Sequence, residues 1–183
     1  MLNLNADHLD LPINYQFNQF VCFEFLNVGM EQMAKSSQAR NHPDGSYHFV
    51  ACGAVGIACF AQGTELLLKA VCQARGMREP GGNHPIVELY EQLTSCERFV
   101  ENLEALYGAE GISVAQVEAI ETVRKIETAW MNARYLGLKS KTLELPSPRK
   151  AGLLVFAVVV SFFGKWSGIV QEQLNLNLRF ISP

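Results

Sequence analysis

The sequence predicts an all-α protein, an antiparallel bundle of four or five long helices. Three observations carry this. Apolar residues recur at spacings of three and four over long stretches, most cleanly from Ile86 to Tyr107. Clusters of Gly, Pro, Asp and Ser break the chain into about five segments. No stretch alternates apolar and polar residues as a half-buried strand does. The 183 residues, 49% hydrophobic and 18% charged, suit one domain spanning 1–183 with a sizeable core. That composition excludes a disordered chain and a fibre.

The first helix is expected from about Ile13 to Gln38, after Pro12, with Phe17, Phe20, Phe23 and Leu26 crowding one side. The loop RNHPDGS, Arg40 to Ser46, has the residues of a turn. A second helix should run from about Tyr47 to Arg75 and stop at Gly76. It is crowded with small residues, among them Gly53, Gly56 and Gly63. Each interior glycine costs a helix roughly 1 kcal/mol against alanine, so their accumulation implies a close-passing neighbour or a kink near Gly63.

After the loop from Gly76 to Gly82 comes the most regular pattern. Ile86, Leu89, Leu93, Cys96, Val100, Leu103 and Tyr107 predict one amphipathic helix with a single buried stripe. Asn83 or His84 would cap it, with Pro85 in its first turn. Ser113 and Gln116 have the S-x-x-Q spacing of a capping box. The helix they open carries Ala119, Val123, Ile126, Trp130 and Ala133 on one stripe and stops near Gly137. Ser147 and Pro148 start the last helix, expected to reach about Gln173. It is apolar nearly all round through Phe163, which places it at the centre of the bundle or in an oligomer interface.

Two apolar runs, Phe49 to Gln62 and Ala151 to Gly164, are 14 residues each, short of the roughly 20 that a membrane span needs; they read as core helices. Five cysteines, an odd number without a C-x-x-C, support neither a disulfide framework nor a zinc ribbon. With no basic residue near its start, the chain is expected in the reducing cytoplasm.

Motifs for phosphate-loop, nucleophile-elbow, zinc-protease and di-iron chemistry are not found. His42, Asp44 and His48 lie within seven residues, but no fourth ligand stands near them, so they read as a turn rather than a metal centre. No cofactor is expected.

Charge is segregated. From His84 to Glu127 there are nine acids and three bases; from Arg134 to Lys165, six bases and one acid. The second stretch is a basic patch that attracts phosphate, or a solvated loop that complements the acidic helices.

The order of the motifs carries more. Glu65-Leu66 with Lys69-Ala70 close to the end of the second helix, then His84 to Tyr90, then Arg134-Tyr135 at a helix end, resembles the HEPN domain family. The resemblance covers about residues 45–175, with the first helix as an added element. Pro85 and Ile86 stand where that family has an acid and a leucine. It implies a HEPN-like bundle, a homodimer, nucleotide or RNA as ligand, and a protein partner such as a nucleotidyltransferase. Lys69, His84, Arg134 and Tyr135 are the implied phosphate-binding residues. Many members are metal-independent ribonucleases using R-x4–6-H, sometimes in toxin–antitoxin or phage-defence settings. Here only Arg78 and His84 have that spacing, ahead of its usual place, and no histidine follows His84. The expectation is therefore phosphate binding without ribonuclease activity. The alternatives are catalysis by Arg78 and His84, or a non-enzymatic interaction bundle.

Overall fold

The computed structural model describes residues 13–39, 46–78, 80–81, 85–133 and 144–163. Those residues form six helices and no strand: α1 (Ile13–Ala39), α2 (Ser46–Ala74), α3 (Ile86–Leu93), α4 (Glu97–Ala109), α5 (Ala115–Ala133) and α6 (Pro148–Phe162). The all-α class holds.

The small residues of α2 have the use expected of them. Its neighbour is α1, running antiparallel. Leu26 and Cys22 of α1 meet Gly63, Gly29 meets Phe60, and Met33 meets Gly56. The contacts are backbone to backbone. A methyl group on Gly29 would lie 2.6 Å from the Phe60 nitrogen, and one on Gly63 2.9 Å from the Cys22 carbonyl oxygen. The Cys22 thiol donates to the Gly63 carbonyl at 3.3 Å across this seam. Cys22, Phe23, Leu26 and Met33 join the same apolar cluster as the helices that follow, so α1 is built into the core rather than appended to it.

At its other end α2 stops as expected. Gly76 has φ +65°, and the two bonds of a Schellman cap form: Gly76 N–H to Gln73 O at 3.0 Å and Met77 N–H to Cys72 O at 2.8 Å. The same device ends α4 at Gly111, φ +75°, where Ile112 N–H reaches Tyr107 O at 2.9 Å. Only glycine takes these φ values without strain.

The single helix expected from Ile86 to Tyr107 is two. It breaks at Thr94, Ser95 and Cys96, where the Thr94 and Ser95 hydroxyls bond back to the Glu91 and Gln92 carbonyls, each at 2.7 Å. Such local bonds compete with the helical ladder. Cys96 is extended, with φ −93° and ψ 104°. The periodicity survived because the break keeps Leu93, Cys96 and Leu103 inside, but it replaces Val100 with Phe99 as the buried residue of that turn. Pro85 also stands just before the helix, not in its first turn, and caps it with no side-chain bond. Asn83 and His84 lie outside the described residues.

The last helix is central. Every residue from Ala151 to Phe163 is buried. Ser147 and Pro148 hold the predicted start positions, although the Ser147 hydroxyl makes no capping bond. The helix closes at Phe162, and the expected continuation to Gln173 lies outside the described residues. Aromatic rings bind its end to the rest: Phe162 stacks on Phe99, whose edge meets Tyr90, and the Arg75 guanidinium covers Phe162 at 5.5 Å. One buried polar bridge, Asn102 Nδ2 to Ser161 Oγ at 2.9 Å, joins α4 to α6.

Among the described residues one helix is long and apolar enough to cross a membrane, α2 between Val50 and Ala74. It is longer than the 14-residue run read from the sequence because the pattern continues past Glu65. More than half of that stretch is buried within the protein.

The glycine seam makes an opposed pair of substitutions informative. Gly29→Ala should lower the unfolding free energy by about 1–3 kcal/mol, because the methyl group meets backbone that cannot rotate away. Gly108→Ala meets nothing within 4 Å, and should raise it by about 0.5–1 kcal/mol. Urea unfolding followed by circular dichroism checks both.

Candidate functional site

Helices α2, α3 and α5, which carry the predicted motifs or lie next to them in sequence, pack on one another. Helix α2 touches α3 and α5, and α3 touches α5. The most telling contact is at the start of α3. The Val87 N–H donates to Glu127 Oε2 of α5 at 2.9 Å. A carboxylate on the first turn of a helix satisfies an orphan donor and meets the positive end of the helix dipole. Glu127 is thus the cap that the sequence assigned to Asn83 or His84. No spacing rule points to it, since the two residues are 40 apart.

The predicted residues fare differently. Lys69 is tied to Glu65, Nζ to Oε1 at 2.9 Å. Glu65 is only 5% exposed, so its charge is removed from water and needs this partner. Lys69 is 29% exposed on its side chain, and the pair joins successive turns of one helix in the favourable Glu-before-Lys order. Arg78 is exposed on the loop after α2 and forms no ion pair with any described residue. His84, Arg134 and Tyr135 lie outside the described residues, as do His42 and Asp44 and the side chain of His48. Among the described residues no group of His, Cys, Asp or Glu is placed to hold a metal ion.

Two members of the basic stretch are neutralised. Arg149 pairs with Glu110, at the end of α4, and Lys150 Nζ meets Glu118 Oε2 of α5 at 2.6 Å. Basic α6 start and acidic α4–α5 turn therefore complement one another, the bland reading of that charge segregation, for these two residues. Lys139 and Lys141 lie outside the described residues.

Burial keeps two thiols and two phenols neutral. Burial pushes the Cys72 thiol up to about 11 and raises Cys22 further; none of the five cysteines is in a disulfide, and only Cys59 is part-exposed. Burial pushes the Tyr90 phenol up to about 12. The Tyr107 phenol is raised by burial and then by nearby Tyr90; its hydroxyl donates to the Lys150 carbonyl at 3.1 Å. The Tyr90 hydroxyl is buried without a hydrogen-bond partner among the described residues. Cys22, Cys72, Tyr90 and Tyr107 are therefore not poised as nucleophiles or bases near neutral pH.

Tyr90 gives a sign-definite test. Its phenol ionises near 10 when unfolded and near 12 when folded, so above pH 10 the unfolded chain has lost a proton that the folded chain keeps. Stability should fall as pH rises from about 10 to about 12. Tyr90→Phe removes an orphan hydroxyl, and should leave neutral-pH stability unchanged or raise it by up to about 1 kcal/mol. It should also shallow the alkaline decline. Urea midpoints measured at pH 7 and pH 11 check this.

No family model matches this chain, and no curated protein or solved structure is found to be similar to it.

Proposed function

We propose that the chain is a HEPN-like bundle that binds nucleotide or RNA phosphate without cleaving RNA. The supporting observation is the Val87–Glu127 bond within the packed group α2, α3 and α5. It draws the first turn of α3, which follows His84 in sequence, against Glu127 of α5, seven residues before Arg134 in sequence. The packing of α2, α3 and α5 supports a shared phosphate groove. In this reading Arg134 supplies the charge, Tyr135 a stacking surface and His84 a hydrogen bond. Exposed Arg78, on the loop that joins α2 to α3, adds a second cation to that end of the bundle. Lys69, implied as a phosphate ligand, is read here as the ion-pair partner of buried Glu65. The protein acts in the cytoplasm as a homodimer, with a nucleotidyltransferase as the natural kind of partner.

The absence of catalysis follows from the motif order. Arg78 and His84 have the spacing of a ribonuclease pair but precede the position where the family carries it, and Arg134 has no histidine after it.

A second reading, a non-enzymatic interaction bundle, is favoured by the pairing of Arg149 with Glu110 and Lys150 with Glu118, which removes two cations from the basic patch.

Fluorescence anisotropy with a single-stranded RNA oligonucleotide, titrated with salt, separates the readings. Phosphate binding predicts affinity that falls steadily with salt. Arg134→Ala should weaken binding and reduce the logarithmic salt slope by about 1. Lys69→Ala should lower stability and leave affinity unchanged. No binding, or salt-independent binding, favours the interaction bundle. Metal-independent RNA cleavage that His84→Ala abolishes would instead establish the ribonuclease.

A further inference from the structure

A groove of about 420 Å3 lies between the end of α4 and the start of α5, lined by Glu104, Gly108, Ile112, Val114, Gln116 and Val117. The Gly111 cap makes it. That glycine reverses the chain and returns Ile112 towards α4, so the connection to α5 crosses over an apolar floor. Val114 is 53% exposed and Val117 60%, the two most exposed large apolar side chains among the described residues. Gly108 leaves the α4 side open, since nothing lies within 4 Å of where its Cβ would be.

The acid edge of the groove is unusual. Glu97, Glu101 and Glu104 repeat at four and three residues, a single exposed line of about 10 Å along α4 that runs into the groove. None of the three forms an ion pair with a described residue, and Glu104 accepts only from the neutral amide of Gln116, at 2.8 Å. Like charges at this spacing destabilise a helix by about 0.2–0.5 kcal/mol per pair. Glu97 has the helix dipole as compensation, being in the first turn; Glu101 and Glu104 do not. The nearby acids are treated differently: Glu110, Glu118 and Glu121 each have a basic partner, in Arg149, Lys150 and Arg124. Arg98, the cation of α4, stands about a quarter-turn off the line. Lys125 follows on the outer side of α5, two turns beyond Val117.

Charge selects the occupant. Nucleic acid is repelled by this edge. A second copy docking face to face would set carboxylates against carboxylates, because a two-fold contact uses the same patch on both sides. A cationic segment with apolar anchors meets both features at once: its lysines or arginines neutralise Glu97, Glu101 and Glu104, and its apolar side chains cover Ile112, Val114 and Val117. We propose that the α4–α5 groove docks a basic amphipathic segment of a partner protein. It shares no residue with the proposed phosphate site, and its charge is opposite.

The test uses the full chain and a fluorescein-labelled amphipathic peptide of leucine and lysine, with a leucine–glutamate peptide of the same pattern as control, read by anisotropy. The Leu/Lys peptide should bind and the Leu/Glu peptide should not. Val114→Ser with Val117→Ser, and separately Glu101→Lys with Glu104→Lys, should each weaken binding about tenfold. Glu88→Lys with Glu91→Lys, on α3, should leave it within about twofold. All these positions are exposed, and circular dichroism verifies that the variants are folded. The proposal is overturned by equal losses from the α3 and α4 reversals, which would mean diffuse attraction to an acidic surface. It is overturned equally by unchanged affinity in the groove variants, by no binding, or by a homodimer that dissociates when the two valines are replaced, seen by sedimentation.

Discussion

A helix with no side for water constrains everything around it. From Ala151 to Phe163 α6 is buried at every position, so its neighbours must enclose it on all sides. α4 and α5 supply most of that enclosure, and α1 and α2 touch it less. The enclosing helices can then be amphipathic, each giving one stripe to the core and one face to solvent. Polar bonds fix the register: Asn102 meets Ser161 near the end of α6, and Tyr107 holds the Lys150 carbonyl at its beginning. An apolar helix slides easily along apolar neighbours. Two hydrogen bonds at opposite ends leave it one longitudinal position in which both are satisfied.

Much of this was legible in the residues. The boundaries of α1 and α2, the Ser147–Pro148 start and the central place of α6 follow from local rules that leave a mark in composition. The glycines of α2 announced a close neighbour, though not that the neighbour would be α1. What stayed hidden were choices settled by competition or by distance. Thr94 and Ser95 stand within a stretch that reads as one continuous helix, and their hydroxyl bonds mark where it breaks. Val100 and Phe99 are adjacent and both apolar; the break determines which one turns inward. Glu127 caps a helix 40 residues earlier, a relation that no short-range pattern encodes. For the site, the sequence placed Lys69 and Arg78 correctly on the end of α2 and the loop beyond it, but the burial of Glu65 beside Lys69 needed coordinates.

The electrostatic layout divides labour among carboxylates that composition alone cannot separate. Glu65 neutralises a lysine from inside the core. Glu127 terminates a helix. Glu110 and Glu118 secure the entry to α6. Glu97, Glu101 and Glu104 along α4 do none of these things, and neither do Glu88 and Glu91 on α3. A net charge of −3 for the whole chain conceals that difference. What distinguishes one glutamate from another here is the partner within reach, not the residue type.

The thiol of Cys22 lies in the seam where α1 and α2 touch backbone to backbone, bonded to the Gly63 carbonyl. An alkylating reagent has no path to it while the helices are closed, and the thiol is kept protonated besides. Its rate of labelling is therefore a clock for the lifting of α1 away from α2. The protein carries its own reporter of partial opening, at the joint where its first helix meets everything that follows.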